Sequence, residues 1–194
     1  MKPITDISQL DLSKTYTFAD YLSWQFDEMV ELIKGKIFKM SPAPVPKHQL
    51  YAGNLFLEIA FFLKKKPCDV YFAPFDVYLP IEKTNGKSTV VQPDICVICD
   101  RNIVDDKGCN GAPDMVVEFL SPSTAHVDLK EKYQVYEASG VREYWIVSPN
   151  DKIIDIFVLE NAKYQLKGKF TLGDKVSPCI FPELVIDLED IFNQ

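Results

Sequence analysis

The chain has 194 residues, 47% hydrophobic and 25% charged, the balance of a folded protein whose core needs no staples. Its formal net charge is −7, with 28 acidic residues against 21 basic ones. That excludes broad, non-specific coating of nucleic acid, because neutralising phosphates needs a surplus of Lys and Arg. The longest apolar run, LFLEIAFFL, contains Glu58 and is too short to span a bilayer, and the opening MKPITDISQLDLSK has no signal-peptide core. A cytoplasmic protein is expected, folded as a single domain over residues 1–194.

In chain order, Thr17 and Asp20 resemble an N-cap with an acidic first turn, predicting a short helix over 18–24. Residues 28–40 read as two strands joined by Lys34-Gly35. SPAPVP at 41–46 reads as an extended loop. Residues 47–66 carry apolar positions at helical spacing, namely Leu50, Leu55, Ile59, Phe62 and Leu63. Strands are predicted at 69–79, 94–99 and 114–120, with a polar loop, DRNIVDDKGCNGAP, between the last two. SPST at 121–124 reads as a helix-start loop, followed by a helix over 125–139 that ends at Gly140. Strands at 142–148, 152–159 and 162–170 come next, and DLEDIF forms a last short helix. A helix between strands 114–120 and 142–148 implies a parallel crossover. The fold class is mixed α/β around a central sheet.

Cysteines stand at 68, 96, 99, 109 and 179, an odd count that predicts free thiols in a reducing compartment. Cys96 and Cys99 have zinc-site spacing. In a strand, however, an odd offset points their side chains to opposite faces, and no second pair exists to complete a site. Lys64, Lys65 and Lys66 form one basic cluster, and Lys163, Lys167, Lys169 and Lys175 another. Each is either a patch for phosphates or a solvated face.

Glu118 interrupts an otherwise apolar strand, MVVEFL, of the kind that is buried on both faces. A carboxylate there must be paired, protonated or metal-bound, and an Arg or backbone donors would serve as well as a metal. Asp94, after Pro93, suits a capped turn equally well. Taken together, Asp94 opens one strand and Glu118 lies near the end of the next. Neighbouring strands are about 4.8 Å apart, close enough for two acids to share one cation. Mg²⁺ keeps several waters, so one or two carboxylates suffice. In the helix DLKEKYQVY, Leu129, Tyr133 and Tyr136 mark the predicted packed side, with Lys130 and Lys132 beside it. Lys132, near the border of that side, could reach over the sheet end and offset charge on a phosphate. The alternative is an exposed lysine paired with Asp128 at i,i+4.

The stretches ELIKGKIFKMSPAPVPKHQ, QPDICVI and GAPDMVVEFLSPSTAHVDLKEKYQVYEASGVREYWIVSP resemble the Uma2-type family of bacterial proteins, classed with restriction endonucleases in the PD-(D/E)XK superfamily. The resemblance covers roughly residues 17–192, and the combination of motifs is highly specific. It implies a restriction-endonuclease-like core of helix, three strands, helix and strand, preceded by an N-terminal β-hairpin. It also implies a metal site at the sheet end, where Asp94, Glu118 and the Phe119 carbonyl hold Mg²⁺ or Mn²⁺. The E-x-K pattern is broken, because Leu120 stands where the lysine would be; Lys132 is the matching position. Glu31 and Tyr136 match as further groups near the site. His48 matches as a contact of the site or of a phosphate, or is a plain helix-start histidine. Glu143 is expected to begin the last core strand, Trp145 to lie in the core and His126 to be exposed. The implied activity is metal-dependent hydrolysis of nucleic acid, DNA above all, in a homodimer. The alternative is a non-catalytic binding protein that keeps the nuclease fold.

Overall fold

The computed structural model describes residues 4–40, 45–80, 88–122 and 125–193. The Thr17 hydroxyl accepts from the Asp20 amide and the Asp20 carboxylate from the Thr17 amide, starting α1 (Phe18–Tyr21). The helix predicted over 18–24 is thus one turn long. β1 (Val30–Ile33) and β2 (Lys36–Lys39) pair antiparallel across Lys34-Gly35. Both turn residues have positive φ, 51° and 75°, as a two-residue hairpin requires. Gly35 also lacks room for a side chain, since an added Cβ would lie 3.0 Å from the Tyr16 carbonyl oxygen.

α2 (Pro46–Leu63) opens on a proline, whose missing N–H is harmless in a first turn. Tyr51, Leu55, Ile59 and Leu63, four residues apart, form its buried stripe. Burying each contributes roughly 1.5–3 kcal/mol. Leu50, predicted to share that stripe, is 40% exposed. Residues 41–44 of the predicted loop at 41–46, and 123–124 of the one at 121–124, lie outside the described residues.

The strand predicted over 69–79 is two strands, β3 (Asp69–Phe72) and β4 (Val77–Tyr78). Pro74 between them has no N–H to give to a ladder. β5 (Val90–Val91) and β6 (Ile95–Ile98) follow. The polar stretch predicted as loop holds a small hairpin, β7 (Val104–Asp105) and β8 (Gly108–Asn110). β9 (Met115–Phe119) leads through a π-helical segment, Val127–Lys132, into α3 (Tyr133–Ser139), which ends at Gly140 with φ 94°. Then come β10 (Glu143–Ser148), β11 (Ile153–Glu160), β12 (Lys163–Thr171), β13 (Lys175–Val176), β14 (Ile186–Asp187) and α4 (Leu188–Phe192).

The central sheet runs β12-β11-β10-β9-β6-β3, and a second sheet runs β2-β1-β5-β4-β8-β7. In the central sheet β9 and β10 are parallel, joined by the predicted helical crossover, and the remaining pairs are antiparallel. Met115, Val117, Phe119 and Trp145 pack with α2 and α4 on one face. Val116, Tyr136 and Tyr144 pack with α3 and the second sheet on the other. Side chains alternate along a strand, so Glu118 shares the face of Val116 and looks toward α3.

Two expectations are corrected. Cys68 and Cys99 form a disulfide, with Cα atoms 4.0 Å apart, so the five cysteines are not all free thiols. They flank the Asp69–Ile98 pair of β3 and β6, a proximity that only strand pairing creates. Cys96, Cys109 and Cys179 are free. Cys96 and Cys99 pack on opposite faces of the sheet, as predicted. Leu129, predicted on the packed side of its helix, is 52% exposed, while Asp128 is 4% exposed. The buried positions Asp128, Lys132, Val135 and Tyr136 stand at i, i+4, i+7 and i+8, one helical stripe that leaves Leu129 beside it. No helix among the described residues is long and apolar enough to cross a membrane.

Candidate functional site

β9 carries Glu118 into a cavity of about 570 Å³ lined also by Glu31, His48, Asp94, Asp128 and Lys132. The floor is built around the Lys132 ammonium, which the π-helical segment turns inward. Nζ lies 2.8 Å from Glu31 Oε1, 2.9 Å from Glu118 Oε1 and 3.4 Å from Asp128 Oδ1. Tyr136, one turn further along in α3, donates its hydroxyl to Glu118 Oε1 at 2.7 Å. All five residues are buried. The i,i+4 pair of Lys132 with Asp128 therefore exists, but inside the protein.

Asp94 precedes β6. Continuing the Ile95–Val117 pairing by one step sets it opposite Glu118 on the neighbouring antiparallel strand. Asp94 Oδ2 accepts the Phe119 amide at 2.7 Å. The His48 ring, from the first turn of α2, places Nε2 3.2 Å from the Phe119 carbonyl oxygen and 3.5 Å from Asp94 Oδ2. The Phe119 backbone thus meets Asp94 through its N–H and His48 through its C=O, next in the chain to Glu118.

Around the floor, four carboxylates meet the Lys132 ammonium and the His48 imidazole. Burial pushes the Glu118 carboxyl well above its usual range; Lys132 pulls against that shift, while Asp128, Asp94 and Glu31 add to it. Burial disfavours the charge on Lys132, but Glu118, Glu31 and Asp128 outweigh it and keep the ammonium protonated. Burial likewise opposes the charged His48 ring, and Asp94 overcomes it, with help from the Phe119 carbonyl and Asp128, raising its pKa. Burial pushes Asp128 up to about 6 against the pull of Lys132, and Glu31 and Asp94 push the same way. A carboxyl whose folded pKa is raised stabilises the fold below its unfolded pKa and loses that contribution as pH rises through the folded value. Stability should therefore fall between about pH 4 and pH 6 by of the order of 3 kcal/mol from this group. Thermal melts of the wild type and Asp128→Asn across that window check it; the variant should show the shallower decline.

The Glu31 oxygen that meets Lys132 has a second partner. The Gln92 amide donates to Glu31 Oε1 at 2.8 Å, and Gln92 Nε2 donates to Asp76 Oδ1 at 2.7 Å. The Tyr21 hydroxyl, from α1, donates to the same Asp76 carboxylate at 3.1 Å. Asp76→Ala unpairs both donors and should lower stability by about 1–3 kcal/mol in urea titration. Asp76→Asn, which keeps one acceptor oxygen, should lose less.

Every residue that the sequence pointed to, Glu31, His48, Asp94, Glu118, Phe119, Lys132 and Tyr136, meets at this cavity or on its floor. Asp128 was read only as a surface partner of Lys132, and the Gln92–Asp76–Tyr21 chain was not read at all. The Gln of QPD was the available signal. Glu143 begins β10 as expected and is satisfied elsewhere, accepting from Trp145 Nε1 at 2.7 Å and from the Cys179 and Ile180 amides at 3.0 Å. Trp145 is fully buried and His126 exposed, both as expected. The basic clusters stand apart. Lys64 is sixteen residues along α2 from His48, about 24 Å at 1.5 Å per residue. Lys163, Lys169 and Lys175 pair with Glu137, Asp155 and Asp187.

The oxygens of Asp94, Glu118 and the Phe119 carbonyl are hard donors that suit a hard divalent ion. Among the described residues no three His, Cys, Asp or Glu side chains form a ready-made cage. An ion held by these oxygens would have to keep most of its own water, as Mg²⁺ does. Lys132 and His48 already supply positive charge to the same acids, so such an ion would share or displace their contacts.

The family model described as "Uma2: Putative restriction endonuclease" matches residues 18–189. A solved structure, the crystal structure of "a putative nuclease belonging to DUF820" from Anabaena variabilis ATCC 29413, matches with a TM-score of 0.72 at 20% identity. The match covers 91% of this chain and 97% of that one, and shows that the two share a fold. No curated protein matches the sequence. With the family model spanning nearly all of the mixed α/β core and every residue of the acid cluster, the chain belongs to the Uma2 family.

Proposed function

We propose that the chain, as one nuclease-like domain over residues 1–194, is a metal-dependent endonuclease that hydrolyses phosphodiester bonds of nucleic acid, with DNA the expected substrate. The observation that carries this reading is that Asp94 and Glu118, opposite each other on neighbouring strands, line one cavity, with Asp94 held by the Phe119 amide. Asp94, Glu118 and the Phe119 carbonyl would hold Mg²⁺ or Mn²⁺. A divalent ion held there would supply an acidified water and polarisation of the scissile phosphate. Asp94 is anchored by the Phe119 amide, which fixes the direction of its second oxygen. Lys132, released in part from Glu118, donates to the attacking water or to a phosphate oxygen as charge develops. Tyr136 and Glu31 keep Glu118 and Lys132 in register, and His48 holds the Phe119 carbonyl in place or donates to a phosphate.

One observation favours a second reading, a binding protein that keeps the nuclease fold: Lys132 and His48 neutralise the acids without any metal. Oligonucleotide and plasmid nicking with Mg²⁺ or Mn²⁺ separates the two. The enzyme cuts with metal and Asp94→Asn does not; the binder retains nucleic acid but cuts with neither. The Cys68–Cys99 bridge removes the thiol argument for a reducing compartment.

A further inference from the structure

Resting on the nuclease reading above, we propose that this site takes single-stranded nucleic acid: one or two unpaired nucleotides enter the cavity, bases against its apolar walls and phosphates beside Lys39 and Lys47.

Three observations carry this. The first is size and depth. The cavity measures about 570 Å³, in the range of a small-ligand pocket, and Glu118, Asp128 and Lys132 on its floor are 3%, 4% and 4% exposed. A flexible strand can thread a phosphate to that floor, whereas a duplex presents a stiff, wide cylinder. The second is the wall chemistry. Met29, Met40, Val45, Pro74, Leu120 and Pro149 line the cavity. A duplex keeps its base faces stacked inside, so only an unpaired base has an apolar face to set against such a wall.

The third is charge. Among the described residues the basic side chains lining the cavity are Lys39, Lys47, His48 and Lys132; Lys132 is held by three carboxylates, and His48 faces Asp94 and the Phe119 carbonyl. Lys39 and Lys47 are both exposed. These two exposed lysines, Lys47 lying over the Tyr51 ring, match about two phosphates, fewer than a duplex footprint of roughly 6–10 contacts. The other basic clusters are remote or paired, and the chain as a whole carries −7. A single-stranded substrate also removes the need for a second, symmetry-related site to cut an opposite strand.

The test uses the full chain, a fluorescently labelled 12-nucleotide single strand, and the same strand annealed to its complement. With metal chelated, the single strand should bind more tightly at 50 mM salt. Its affinity should fall only about sevenfold on going to 200 mM, the drop for about two phosphates at a slope of about −0.7 each; a duplex footprint would lose about 10³–10⁵. The double variant Lys39→Ala/Lys47→Ala, altered at two exposed positions, should lose most of that salt dependence. With Mn²⁺, the wild type should cut the single strand at least about tenfold faster than the duplex. Tighter binding or equal cutting of the duplex, a steep salt slope, or no binding of either strand form overturns the proposal. Single-strand binding with no cleavage in any divalent metal upholds the strand preference and removes the nuclease reading instead, so the two failures are distinguishable.

Discussion

Lys132→Met should destabilise the fold by about 3–5 kcal/mol at pH 7, because it strands three buried acids without their common cation. Lys132 is 4% exposed, and its Nζ sits within 3.4 Å of oxygens from Glu31, Glu118 and Asp128. Water cannot take over that role at the bottom of the cavity, so the acids must protonate or the surrounding elements must open. Protonation is the cheaper response at low pH. The loss should therefore shrink between pH 7 and pH 5, as the carboxyls that burial has already pushed upward take up protons. Adding Glu118→Gln to Lys132→Met removes one of the stranded charges and should recover part of the stability. Urea titrations of the three proteins at both pH values check this. A loss below about 1 kcal/mol at pH 7 would show that the acids do not depend on Lys132.

The second large effect concerns the metal. Asp94→Asn keeps an oxygen that can accept from the Phe119 amide, so the fold should hold, but it removes one of the two charges facing the ion. Mg²⁺ affinity measured by calorimetry should fall at least about tenfold, or about 1.4 kcal/mol. Cleavage should fall by about 10²–10³, the scale of losing one electrostatic contact to the transition state. Glu118→Ala should weaken Mg²⁺ at least as much. Because burial raises the Glu118 carboxyl and the ion favours its ionised form, wild-type affinity should climb with pH. Equal Mg²⁺ affinity in the wild type and Glu118→Ala would remove the metal reading altogether.

Much of this site is legible as residue types in improbable places. Glu118 stands out because a charge in MVVEFL has no ordinary reason to be there, and the structure supplies the reason in Lys132 and Tyr136. Glu143 shows why that signal alone is insufficient: it is as buried as Glu118, yet it binds the Trp145 indole and two backbone amides and has no part in the cavity. The packed face of the segment after β9 was missed because apolar Leu129 marked it; the buried stripe is Asp128, Lys132, Val135 and Tyr136, at ordinary helical spacing, and its two charged members pair with each other inside the protein.

By itself the sequence determined the order of the main helices and strands, the hairpin at Lys34-Gly35, the helical crossover from β9 to β10, and Asp94, Glu118 and Lys132 as site candidates, with Glu31 added by the family resemblance. The elements and the first three residues follow from local periodicity, turn chemistry and the misfit of a charge in an apolar strand, all of which act over a few neighbours. Only the tertiary structure decided that the strand over 69–79 divides between two sheets, that Cys68 meets Cys99, and that Gln92 and Asp76 brace Glu31. Those outcomes depend on which strands lie side by side. Pairing between distant segments is set by how the whole core packs, and no short stretch of chain carries that information.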